Sequence, residues 1–126
     1  MNVCFLAFTG LILLSSALSQ PAFAGKADVE AVNVERMGSA TYRFDVTVRH
    51  SDEGWDHYAD RWDVVAPDGT VLGERVLLHP HETEQPFTRS LTGVAISAEI
   101  KSVTVRAHDK VHGLGGKEMT VDLPAQ

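Results

Sequence analysis

The 126-residue sequence predicts an all-β protein, a single antiparallel seven-stranded β-sandwich spanning residues 25–126 behind an export signal at residues 1–24. Three observations lead there. Apolar and polar residues alternate with a period of two along several short runs, the pattern of strands with one buried face. Residues that favour turns separate these runs at regular intervals. No long window has the 3.6-residue spacing of an amphipathic helix, and there are no internal repeats, low-complexity tracts or linkers.

The first 24 residues stand apart in composition. Phe5 to Leu18 is apolar, interrupted only by small polar residues, and Ala22-Phe23-Ala24 supplies a small-x-small cleavage signal. The apolar stretch falls short of the roughly 20 residues needed to cross a bilayer. A cleaved signal peptide is therefore expected, with the mature chain starting at Gly25 and residing in the periplasm or outside the cell. Cleavage removes Cys4, the only cysteine. Cys4 also precedes the apolar stretch, whereas a lipid-attachment cysteine would follow it. The mature domain then has no disulfide, no thiolate ligand and no membrane span, so its fold must rest on packing. A chain of this length can bury enough surface to do so as one domain.

Taken in order, the strands read as follows. An irregular run at 28–35 opens the domain. Tyr42, Phe44, Val46 and Val48 share one parity against Arg43, Asp45, Thr47 and Arg49, the clearest half-buried strand in the chain. Runs at 60–66 and 70–78 flank Pro67-Asp68-Gly69, a tight-turn sequence. A fifth run covers 87–91. Val103, Val105 and Ala107 alternate with Thr104 and Arg106, and Met119, Val121 and Leu123 alternate with Glu118, Thr120 and Asp122. Phe44, Val46, Trp62, Val64, Val103, Val105 and Val121 are the expected core.

Val103-x-Val105-x-Ala107 followed by Gly113, Gly115 and Gly116 resembles the sixth strand and following loop of fibronectin type III domains. Trp62 on the third strand resembles the core tryptophan of immunoglobulin-like domains. The likeness follows the strand order across most of the mature chain, as in sandwich domains of small exported bacterial proteins. Lys101 stands where the fibronectin pattern has tyrosine, and there is no cysteine pair. The resemblance implies the fold alone, because such sandwiches carry many unrelated functions.

If each strand crosses the sandwich once, the second-to-third, fourth-to-fifth and sixth-to-seventh links all lie at one pole. These links are residues 50–60, 79–86 and 109–116. All six histidines fall in or beside them: His50 and His57, His79 and His81, His108 and His112. The opposite pole receives Met37-Gly38-Ser39, Pro67-Asp68-Gly69 and Thr92 to Glu99, without histidine.

Neutral imidazole is a common ligand for Zn, Cu and Ni, and a stable site needs several donors converging. His79, His81, His108 and His112 are expected to lie together, with His57 as a fifth member and His50 as a sixth. Strand parity turns His50 inward with Val48 and His108 outward with Arg106. Asp52, Asp56, Glu82, Glu84 and Asp109 could add carboxylate ligands or orient the rings. With no mature cysteine, one divalent transition metal, Zn, Cu(II) or Ni, suits the donors better than Cu(I). The alternative is a protein- or carbohydrate-interaction module that uses Trp55, Tyr58 and Phe87 as anchors, with the histidines incidental.

Other functions find less support. The net charge of −6 comes from 17 acidic and 11 basic residues, all beyond residue 24, and the arginines form no block. A nucleic-acid backbone calls for a clustered basic face, so nucleic acid is not an expected partner. Ser51, Ser90, Ser97 and Ser102 lack a nucleophile-elbow context, and no residue is assigned a catalytic role. His81-Glu82-Thr83-Glu84 lacks the second histidine of a zincin helix, and Pro80 and Pro86 would break such a helix.

Overall fold

The computed structural model describes residues 25–125; the predicted export signal at 1–24 lies outside the described residues. The described residues form seven strands: β1 (Asp28–Gly38), β2 (Thr41–Arg49), β3 (Ala59–Val65), β4 (Val71–Val76), β5 (Phe87–Ala95), β6 (Ser102–Asp109) and β7 (Met119–Asp122). There is no helix among the described residues, and hence none long and apolar enough to cross a membrane. All strand pairings are antiparallel, in a three-stranded sheet ordered β1-β2-β5 and a four-stranded sheet ordered β4-β3-β6-β7.

Alternation along the chain produces one shared core. Tyr42, Phe44, Val46 and Val48 of β2 face Trp62 and Val64 of β3 and Val103, Val105 and Ala107 of β6, in one buried cluster with Val29, Leu77, Phe87, Val94 and Ile96. Tertiary context alters several expectations. β1 and β5 run further than the sequence pattern suggests, to Gly38 and Ala95, while β4 is confined to Val71–Val76. Val121 and Leu123 are only partly buried, because the four-residue β7 is the edge of its sheet and is covered on one side alone. β3 is buried on both faces. On its outer face Asp63 sits between Arg61 and Arg106, whose Nε atoms donate to it over 3.3 and 3.2 Å.

The link from β3 to β4 is the turn expected at Pro67-Asp68-Gly69. The Gly69 amide donates to the Ala66 carbonyl over 2.9 Å, and the Thr70 amide donates to Asp68 Oδ1 over 2.9 Å. Gly69 has φ of 92°, a conformation that favours a residue without a Cβ. Strand register sends this turn away from the histidines. Arg49 is paired with Asp28, Val48 with Phe87, Ala59 with Asp109 and Arg61 with Val76, so the three histidine-bearing links share the other end of the molecule.

Candidate metal centre

Two buried carboxylates organise this pole. Asp52 Oδ1 accepts from the Ala59 amide over 3.0 Å and faces His50 Nδ1 at 2.5 Å, while Oδ2 accepts from the His81 amide over 2.7 Å. One side chain thus joins the β2–β3 link to the β4–β5 link. Gln85 reinforces the junction, accepting from the His50 amide and donating to the His81 carbonyl. Asp109, fully buried at the end of β6, closes the third link. Its Oδ1 accepts from the amides of Val111 and His112 over 2.9 and 2.7 Å. Its backbone exchanges hydrogen bonds with Gly113, where φ is 71°. The Lys110 amide donates to the Tyr58 carbonyl and so binds this turn to the β2–β3 link.

His50, His57 and Asp109 form the metal-competent group among the described residues, each offering a ligand atom within 4.8 Å of the others. The three are not equally free. His50 is 2% exposed, with Nδ1 on Asp52 and Nε2 on the Gly25 carbonyl at 2.8 Å. Both nitrogens face acceptors, an arrangement that favours the doubly protonated ring paired with the carboxylate. Burial pushes His50 down, but the hydrogen bond and charge of Asp52 outweigh it, and the net shift is upward. Burial pushes Asp52 up, and its bonds from His50, His81 and Ala59 bring the net shift down.

His57 and Asp109 retain unused capacity. His57 Nε2 lies 3.2 Å from Asp109 Oδ1 but makes no hydrogen bond, and Asp109 Oδ2 has no partner either; both atoms are buried. Unsatisfied buried polar atoms are uncommon and costly, so a pair of them side by side calls for an explanation. His112 stands at the rim with Nδ1 3.3 Å from Asp109 Oδ1, its ring centre 5.0 Å from that of His57. Asp109 itself is held below the usual carboxylate range. Burial raises it, but the His112 and Val111 amides and the nearby His50 and His112 charges lower it further.

The remaining histidines lie elsewhere at the pole. His79 and His81 are neighbours, their ring centres 4.6 Å apart, and His81 stacks on Phe87 at 4.1 Å and 11°. Burial pushes His81 below the usual imidazole range, assisted by Arg89 and His79. His108 points to the outer face and hydrogen-bonds Asp60 through Nδ1 over 2.6 Å, away from the core. The six rings are therefore divided among several partners rather than gathered about one point. The sequence pattern supplied the pole, but it treated Asp52 and Asp109 as auxiliaries when they are its centre. The string Asp109-x-x-His112-Gly113 was the available signal, since Asp before a glycine-closed turn caps its own backbone.

Of the aromatic anchors, Phe87 is buried in the core under His81 and Tyr58 is 8% exposed beneath Trp55, whose ring meets it edge-on at 5.8 Å. Phe87 is thereby withdrawn as a partner contact, because it seals the core at the start of β5. Trp55 is 63% exposed and lines a cleft with Gly54, His79, Pro80, Glu82 and Thr83. Trp55→Ala is expected to change stability by less than about 0.5 kcal/mol, as for other surface positions. Chemical denaturation checks this.

The chain is 44% identical over 97 residues to a protein from Halomicrobium mukohataei that carries the description "Putative lipoprotein". The match takes in 77% of this chain and 47% of the relative, so the chain spans about half the length of the curated relative it matches. No protein-family model matches the chain. No solved structure matches it.

Proposed function

We propose that this protein is an exported β-sandwich binding module that holds a divalent transition metal at its histidine pole. His57 Nε2 and Asp109 Oδ2 would be its first ligands. The observation that carries this reading is the pair of buried, unpartnered donor atoms on those two residues. An ion between them would satisfy both, and His112 stands at the rim with Nδ1 against the other oxygen of Asp109. His50 lies within ligand distance but is committed to Asp52 and Gly25, so it contributes only if the Gly25 contact is released. A His/carboxylate set without sulfur favours Zn, Cu(II) or Ni. The loops that carry the donors are pinned by backbone bonds to Asp52 and Asp109, which limits how far the rings can move when an ion binds.

Export is supported by the small-x-small cleavage pattern before Gly25 and by the relative's printed description as a lipoprotein. The immunoglobulin- or fibronectin-like class is supported by strand order. β1-β2-β5 opposes β3-β6-β7 with Trp62 at the centre of the core, and β4 lies beside β3 rather than on the three-stranded sheet.

Calorimetric titration with Zn and Cu(II) tests the site. His57→Ala and Asp109→Asn are expected to weaken the tightest binding event by about tenfold or more, a fall at least as large as that from losing an outer-shell group. The asparagine keeps an oxygen for the Val111 and His112 amides, so the loop survives while the charged donor is lost. Affinity should also fall as acid is added, because protons compete for imidazole nitrogens. Unchanged tightest binding in both variants would refute the assignment.

A second reading rests on Trp55, whose exposure over a cleft suits a protein- or carbohydrate-interaction module. Under that reading Trp55→Ala abolishes partner capture. Under the metal reading it leaves affinity at His57 and Asp109 intact.

A further inference from the structure

We propose that His79 and His81 form a second metal site, separate from the His57–Asp109 group and suited to Cu(II). His81 is 6% exposed, and neither ring nitrogen has a hydrogen-bond partner. A buried ring with two idle nitrogens is otherwise an unexplained cost. Phe87 stacks on this ring at 4.1 Å, fixing its plane. His79 lies on the surface with its ring centre 4.6 Å away, and its Nδ1 faces the Pro80 carbonyl at 3.1 Å. That contact places the proton on Nδ1 and leaves the His79 Nε2 lone pair for an ion.

The two sites are divided by Asp52, whose Oδ1 serves His50 and whose Oδ2 serves the His81 amide. Neither His79 nor His81 belongs to the group that includes His57. The cleft that His79 lines with Glu82 is open on one side, so water can supply further oxygen donors. Glu84 is less suitable because Arg89 engages both of its oxygens. A site with two imidazoles and no sulfur, its shell completed by water, ranks Cu(II) first among the divalent ions, since affinity rises along the first-row series to copper. Such a site on an exposed loop would exchange its ion more readily than the buried one.

Trp55 lines the cleft that contains His79 and Glu82, so bound Cu(II) should quench its fluorescence, while Trp62 is fully buried in the core. The experiment is a Cu(II) titration of the full chain followed by calorimetry and tryptophan emission. Two equivalents are expected, one with strong quenching. Asp109→Asn should weaken the other equivalent and leave the quenching one in place. His79→Ala should remove the quenching equivalent and leave the other, and Trp55→Phe should remove most of the quenching while two equivalents still bind. Because His81→Ala strips a buried ring from Phe87 and can unfold the chain, the exposed His79 is the deciding position. No quenching equivalent in the wild type, or full quenching retained in His79→Ala, would overturn the proposal. If Asp109→Asn instead has no effect while His79→Ala removes its equivalent, the His57–Asp109 reading fails and this one stands.

Discussion

Asp52→Ala is expected to lower the unfolding free energy by about 3–5 kcal/mol, the range found when one partner of a buried ion pair is removed. The carboxylate is fully enclosed and serves three donors: the His50 ring and the amides of Ala59 and His81. Alanine leaves all three without a partner, and an unsatisfied buried donor costs about 1–3 kcal/mol on its own. His50 can shed its proton to relieve part of the loss, which sets the lower end of the range. Since domains of this kind are stable by about 5–15 kcal/mol, the variant should be marginal. Asp52→Asn keeps an oxygen and should lose less.

The pH dependence of metal-free protein provides the second half of this test. His50 is shifted above the 6.5 of a free imidazole, so its contribution is fully present below that value and is lost as pH rises through its folded-state pKa. Asp52 is shifted below 3.8, so its contribution is present above that value and is lost as pH falls through its folded-state pKa. The pair therefore stabilises most between about pH 4 and 6.5. His81 works against this window: its lowered pKa means the unfolded chain takes up a proton first, which costs stability as pH drops below 6.5. Urea denaturation of wild type and Asp52→Ala across pH 4 to 9 measures the difference. A gap of less than about 1 kcal/mol at pH 6 would place the pair among contacts of little weight, far from the buried-pair range.

Val105→Asp should abolish cooperative folding. Val105 is fully buried on β6, opposite Val64 of β3 and Met119 of β7. Losing the valine removes about 1.5–3 kcal/mol of burial, and a carboxylate there has no cation within the apolar cluster to offset its desolvation. Protonation lessens the penalty but still leaves a hydroxyl and a carbonyl to satisfy. Val105→Thr provides the calibrated control, with a loss of about 1–3 kcal/mol for a buried hydroxyl and an intact unfolding transition. A sharp thermal transition in Val105→Asp near that of the wild type would show that the core is not where the alternation of β6 puts it.

Sequence alone determined the parts of this protein that depend on local periodicity. Tyr42, Phe44, Val46 and Val48 point inward because successive side chains in a strand alternate faces, and no neighbour is needed to decide that. The same parity turned His50 in and His108 out. Antiparallel order then carried three links to one end, since each strand reverses the last. Tertiary structure decided what each histidine does there. His50 meets Asp52 and the Gly25 carbonyl, His108 meets Asp60, His81 lies on Phe87, and His57 faces Asp109. Most of these partners are far apart in the chain, and loop backbones without a period leave side-chain directions unconstrained until the surrounding links pack. The residues that impose those directions are Asp52 and Asp109. Their role follows from burial beside free amides, a property of the folded pole that the spacing of amino acids does not carry.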